Sequence, residues 1–260
     1  MMPLTSESDE PTERPGVLDR IVALLAVFDE ETPSISVTEI ARRAALPRAT
    51  AHRMVHQLHA HGYLEQGGHG WRLSWRLFEL GSLVERERRL RETSQPYLLD
   101  LFERTHKVVN LGVMAGSDVL YLEKVAGLTA PDLKTRPGGR RPLHSTALGK
   151  AILAFSTDDV VIRTLKGPLA RRTSRTQVQP GILQKQLMRV RETGYALEFE
   201  ESRAGLSCIA APILGRNRLA VAAVSITGTS DTINVKRDVP IITLAARNLS
   251  RAIQEISLRQ

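Results

Sequence analysis

Arg48, Thr50, His52, Arg53 and Gln57 crowd one short stretch of the chain, with the small Ala49 between them. Hydroxyl, guanidinium and amide groups of this kind can meet base edges in a DNA major groove, while further arginines hold phosphate. Other groupings suggest different chemistry. Gly149-Lys150 invites a phosphate-loop reading, yet position 144 is His where that motif needs Gly, and position 151 is Ala where it needs a hydroxyl. No G-x-G-x-x-G opens a helix after a strand, so the sequence predicts no nucleotide cofactor. His52, His56 and His59 share a spacing that would let one helix face chelate a metal, but no Cys or nearby carboxylate completes a site, and no metal is expected. Cys208, His144 and Glu198 or Glu200 are the residue types of a Cys-His-carboxylate hydrolase acting on a small amide or ester, the enzyme alternative. Cys208 leads into Ile209-Ala210-Ala211-Pro212, however, and a free Cys in an apolar strand is usually a small buried hydrophobe, so no enzyme is expected. Glu198, Glu200 and Glu201 form an acidic cluster at a strand end, read as structural, with pairing to Arg203 or capping of a pocket as its other roles.

The elements that would position the basic stretch are well marked. Val37, Ile40, Ala41 and Ala44 repeat at helical spacing, and Ser36 with Glu39 has the S-x-x-E form of a capping box. Pro47 cannot continue that helix but can open a second, with Ala51, Val55 and Leu58 inward and Met54 at the flank. This is a helix-turn-helix, with Ala45 where the turn often has Gly. Tyr63 to Gln66 and Trp71 to Leu73 flank Gly67-Gly68-His69-Gly70, a hairpin signal that makes the unit a winged helix. A supporting helix over Val17 to Phe28 places Leu18, Ile21, Leu25 and Phe28 on one face. After the wing, Trp75 to Arg91 reads as a connecting helix, its apolar half suited to the wing domain or to a second copy.

From Ser94 the pattern changes. A helix runs to about Thr105, strands fit residues 108–113 and 119–123 around a turn at 116–118, and a Gly/Pro/Arg-rich segment spans 129–142. Helices are expected at 144–155, near 181–193 and at 235–257, with strands at 196–200, 208–214 and 219–227. Strands with flanking helices predict an α+β or α/β sensor-like domain rather than a doubly wound sheet.

Composition fits this picture. The chain has 260 residues, 42% of them apolar, and a formal net charge of +8, which favours a polyanionic partner. No apolar run of about 18 residues appears, and the acidic, Pro-rich start reads as a disordered leader in a cytoplasmic protein. A single cysteine excludes an internal disulfide.

Several ordered blocks carry a resemblance. Residues 37–43 and 46–53, Gly62-Tyr63-Leu64 and Trp71-Arg72-Leu73 are followed by residues 142–151, Thr173 and Thr176, residues 191–196, Glu200-Glu201, residues 205–213 and Val224-Ser225-Ile226. Over about residues 15 to 257 the chain resembles the IclR family of bacterial transcriptional regulators. The resemblance implies a winged helix-turn-helix at 15–74, a linker helix at 75–93 and a GAF-like α/β effector-binding domain at 94–260, after a leader at 1–14. It implies a ligand-responsive regulator, a repressor or dual regulator of a catabolic operon, acting as a homodimer or dimer of dimers on a double-stranded operator. DNA contacts would come from Arg48, Ala49, Thr50, His52, Arg53 and Gln57, with His69 and Arg72 of the wing. The effector, a small organic acid that includes aromatic ones, would meet Leu133, Arg141, Ala147, Leu148, Glu198, Cys208, Ser225 and Thr227. Arg141 either pairs with an acidic effector or points to solvent.

Overall fold

A computed structural model describes residues 16–29, 32–128, 133 and 135–256; the leader expected at 1–14 lies outside them. The chain divides into two compact units between Val84 and Glu85.

In the first unit, helix α1 (Val17–Leu25) opens on Gly16, whose N–H donates to the Asp19 carboxylate at 2.8 Å. Of the face expected from the sequence, Ile21, Leu25 and Phe28 pack against the core beside buried Leu24 and Val27. The helix stops at Leu25, and Leu18 is 72% exposed with Val17 and Val22 also exposed. Helices α2 (Val37–Arg43) and α3 (Arg48–Ala60) form the helix-turn-helix. Ser36 Oγ accepts the Glu39 N–H at 3.2 Å, half of the expected capping box. The Glu39 carboxylate instead takes Arg42 and Arg43, whose hydrogen bonds hold it down at about 2. Arg43 also reaches Asp29 at 2.9 Å, which ties α2 to the end of α1.

Between the two helices Ala45 has φ 52, a left-handed conformation that costs an L residue roughly 1–2 kcal/mol. Inward from α3 come Ala51, Met54, Val55 and Leu58, packed with Leu24, Ile35, Ile40, Leu64 and Trp71. The wing is the antiparallel pair β1 (Leu64–Gly67) and β2 (Gly70–Leu73). Ile35 and Trp71 exchange N–H and C=O bonds at 2.9 Å, so the strand end before α2 lies against β2. The single connecting helix expected over 75–91 is two: α4 (Trp75–Ser82) ends before Leu83 and Val84, and α5 (Glu85–Thr105) begins the second unit and continues past Pro96.

The second unit is one six-stranded antiparallel sheet. Its strands are β3 (Val108–Ala115), β4 (Asp118–Val125), β5 (Arg140–Pro142), β6 (Ala196–Phe199), β7 (Leu206–Leu214) and β8 (Ala220–Thr229), in the spatial order β5-β4-β3-β8-β7-β6. Side chains alternate along each strand. Val109, Leu111, Ile209, Ile213, Val224 and Ile226 face α5 and the terminal helix α9 (Val235–Ile256). The opposite face carries Ala210 and Ala223 and is covered by α6 (Ala147–Ala154) and α8 (Pro180–Thr193). Two elements have no counterpart in the sequence expectation: β5, inside the Gly/Pro/Arg-rich segment, and α7 (Asp158–Lys166). Helix α6 starts at Ala147 rather than His144, because the Thr146 hydroxyl caps the Gly149 N–H at 3.0 Å. A Cβ on Gly149 would stand 2.1 Å from the Leu143 carbonyl oxygen, so α6 can sit this close to its own lead-in only with glycine there.

Lys150, the next residue, is 1% exposed and forms an ion pair with Glu201 in the turn after β6. The Glu201 carboxylate also accepts the Gln177 N–H at 3.2 Å, and its backbone oxygen takes the Thr176 hydroxyl at 2.7 Å.

Two expected outcomes follow from this architecture. Ala45→Gly relieves the left-handed strain and gives back part of the gain through the looser unfolded chain, for a net stabilisation of about 0.5–1 kcal/mol; an unchanged or lower denaturant midpoint for the first unit would refute the strain. Lys150→Met leaves the Glu201 carboxylate buried without its cation and should cost about 3–5 kcal/mol, read as a loss of denaturation midpoint in the second unit.

Candidate nucleic-acid interface and effector cavity

The residues expected to touch DNA lie together on one side of α3. Arg48, Ala49, His52, Arg53 and Gln57 are exposed and Thr50 is half-buried, on the face away from Ala51, Val55 and Leu58. Arg48 and Arg53 form no ion pair among the described residues. Their neighbours differ: Arg42 and Arg43 are held by Glu39, and Arg72 on β2 pairs with Glu65 across the wing at 2.7 Å. Helix α3 thus presents two exposed arginines without an acidic partner among the described residues. His69 sits exposed at the wing tip beside Gly68, whose φ is 42.

The three-histidine grouping comes apart in three dimensions. His52 and His56 bring their Nε2 atoms to 3.2 Å, but His59 turns its Nδ1 to the Leu64 carbonyl at 2.9 Å and its ring edge to Trp71. His56 also meets the Trp71 ring, a link between recognition helix and wing that periodicity alone does not signal.

In the second unit a cavity of about 200 Å³ opens on the α6 side of the sheet. Register explains its floor. Glu198, Cys208 and Thr227 are direct neighbours across β6, β7 and β8, and Asn110 pairs with Ser225 across β3 and β8. Of the residues singled out in the sequence, Leu133, Arg141, Cys208 and Thr227 line the cavity. Ala147 and Leu148 of α6 are packed into the core, and Ser225 and Glu198 are buried in the sheet, so these four stand behind the wall rather than in it. Sequence reading missed Asn110, Tyr121, Ser145, Arg172 and Ser202, which also line the cavity, as do Arg203, Thr135, Pro142 and Leu206.

The electrostatics are one-sided. Three arginines, Arg141, Arg172 and Arg203, reach the cavity, whereas among the described residues no carboxylate lines it. Burial pushes the Tyr121 phenol and the Cys208 thiol above their usual values, and burial likewise raises the Glu198 carboxyl behind them. Asn110 Oδ1, Thr135 Oγ1 and Ser145 Oγ are buried in or at this wall without a hydrogen-bond partner among the described residues. Such atoms are rare in folded proteins and mark places where another polar group belongs.

The hydrolase alternative fails on geometry. His144 Nε2 is committed to the Ala170 carbonyl at 3.0 Å, and burial pulls its pKa down. Cys208 Sγ meets Thr227 Oγ1 at 3.1 Å. A nucleophilic cysteine needs a lowered pKa and a base beside it, and this thiol has the opposite shift.

Comparison with known proteins agrees with this division of labour. The IclR helix-turn-helix domain matches residues 17–68, and the bacterial transcriptional regulator IclR C-terminal domain matches residues 83–255. The transcriptional repressor IclR of Escherichia coli is 31% identical over 247 residues, covering 93% of this chain and 88% of its own length. The HTH-type transcriptional regulator BhcR of Paracoccus denitrificans is 34% identical over 214 residues, covering 81% of this chain and 76% of its own. Among solved structures, an IclR homolog from Microbacterium hydrocarbonoxydans complexed with 4-hydroxybenzoate superposes with a TM-score of 0.84 at 30% identity, covering 92% of this chain and 99% of that one. With both domains matched in order, and the exposed basic helix followed by a separate α/β unit, the chain belongs to the IclR family of bacterial transcriptional regulators.

Proposed function

We propose that this regulator docks α3 in the major groove of an operator and is switched by a small organic acid held in the cavity of the second unit. Arg48, Ala49, Thr50, His52, Arg53 and Gln57 form the reading surface, and His69 and Arg72 bring the wing to the DNA backbone. Arg48 and Arg53 are the phosphate or guanine contacts best supported by their lack of acidic partners.

The observation that carries the effector reading is the combination of three arginines with buried, unpartnered polar atoms on one cavity wall. Guanidinium groups pair bidentately with carboxylate, and Asn110 Oδ1, an acceptor, calls for a donor such as a hydroxyl. The ligand is therefore a small acid that also carries hydrogen-bond donors, and 4-hydroxybenzoate, bound by the Microbacterium relative, is the first probe. The family relatives named as repressors favour repression of catabolic genes as the output.

A homodimer is supported by apolar surface on the first unit. Val17, Leu18 and Val22 on α1 are exposed, as are Trp75, Phe78 and Leu83 in and after α4, large apolar side chains that a second copy would cover. An effector changes operator affinity only if it binds the DNA-competent and DNA-incompetent arrangements unequally. A physical route for that bias is Arg91 of α5, which bonds Glu123 of β4 at 3.2 Å; β4 also carries Tyr121 of the cavity wall, and α5 begins where the first unit ends.

Two measurements test the reading. Arg53→Ala should weaken binding to operator and to unrelated DNA alike, and reduce the slope of log affinity against log salt by about one phosphate's worth. A footprint titrated over a salt series would read this, and an unchanged slope would remove Arg53 from the backbone contacts. Calorimetry of the full chain with 4-hydroxybenzoate should show binding that falls roughly tenfold or more in Arg141→Gln. Equal affinity in the two proteins would take Arg141 out of acid recognition.

A further inference from the structure

A second concavity, of about 410 Å³, lies where the end of β7 and the turn into β8 face the C-terminal half of α9. Its charged lining consists of Arg216 and Arg218 on the turn and Arg247 and Arg251 on successive turns of α9, and among the described residues no Asp or Glu lines it. Several arginines elsewhere are neutralised: Arg43 by Glu39 and Asp29, Arg89 by Glu85, Arg163 by Asp159. Here Arg218, Arg247 and Arg251 have no ion pair among the described residues, and Arg216 donates only to the Gln254 carbonyl, at 3.0 and 3.2 Å. Like charges four residues apart on a helix repel, so Arg247 and Arg251 add to the unfavourable local field unless an anion joins them.

The neutral polar groups of the cleft are already engaged. Ser250 Oγ accepts the Leu214 N–H at 2.9 Å and donates to the Ala246 carbonyl at 2.7 Å. The Gln254 amide donates to the Leu214 and Gly215 carbonyls, and Thr243 donates to Val239. What is left to meet a ligand is a set of guanidinium forks, which only donate, beside an apolar wall that includes Phe155 and Pro212. Guanidinium groups approach from both sides, so a single carboxylate would satisfy one pair and leave the other uncompensated.

We propose that this cleft is a second ligand site, separate from the effector cavity, that binds a compact polyanion with two or more anionic oxygen groups, a phosphate ester or a di- or tricarboxylate. Phe155 and Gly194 in its rim are the C-terminal caps of α6 and α8, the helices that cover the sheet face bearing the effector cavity. A bound polyanion therefore rests against the far ends of the helices whose packing shapes the first site.

The test is calorimetry of the full chain at fixed ionic strength with pyrophosphate, citrate and acetate. Pyrophosphate or citrate should bind and acetate should not, and whichever of the two binds more tightly identifies the source as phosphate or carboxylate. The double variant Arg247→Gln/Arg251→Gln should weaken that binding about a hundredfold, with Arg218→Gln as a second variant on the opposite wall in case the first does not fold. Arg141→Gln should leave it unchanged. The proposal is overturned if no polyanion binds, if the arginine variants bind as the parent does, or if Arg141→Gln abolishes binding, which would place the anion in the first cavity. It is equally overturned if the double variant changes only the sedimentation coefficient, which would make the cleft a contact between copies of this chain.

Discussion

The buried ion pair between Lys150 and Glu201 is the constraint on which the second unit depends. A lysine enclosed by the apolar residues of α6 is costly to desolvate and is tolerated only with a close, hydrogen-bonded counter-charge. Glu201 supplies that charge and, through its other carboxylate oxygen and its backbone, fixes the Gln177 amide and the Thr176 hydroxyl. Glu198 accepts the N–H groups of Glu201 and Ser202 in the same turn. Helix α6, the loop through Thr173 and the β6–β7 turn are thereby held to one another. Arg172, Ser202 and Arg203 hang from those loops and form one side of the cavity proposed for the effector. The pair thus sets a shape more than it supplies net stability.

The distribution of acidic partners sorts the arginines by task. Arg42 and Arg43 are pinned by Glu39 and serve the frame of the winged helix, whereas Arg48 and Arg53 have no acidic partner among the described residues. An exposed ion pair contributes little to stability, yet it fixes which cations remain available.

Much of the winged helix was legible because local signals agreed: Ser36 and Pro47 mark helix starts, the α3 stripe repeats at helical spacing, and Gly-rich residues turn the wing. On α1 the spacing finds Ile21, Leu25 and Phe28 against the core but misplaces Leu18, which is exposed with Val17 and Val22. The linker was misread at Leu83-Val84, where two apolar residues continue a helical pattern that the backbone interrupts. In the sheet, Cys208 and Thr227 were placed in the cavity through the family pattern, but Ser225 and Glu198 share their face without reaching the space. Asn110 did carry a signal, a polar side chain between Val109 and Leu111 in a buried strand. Arg172 and Ser202 carried none, since loop residues converge only through long-range contacts such as Lys150 with Glu201.

The unpartnered atoms of Asn110, Thr135 and Ser145 have a consequence beyond recognition. Burying a polar group without a hydrogen bond lowers the stability of the fold, so a molecule that completes those bonds stabilises the native state by mass action in proportion to the logarithm of its concentration. Cellular proteases act on the unfolded fraction. The effector would therefore set how long each regulator molecule survives as well as what it binds, and the amount of protein in the cell would track the supply of the metabolite.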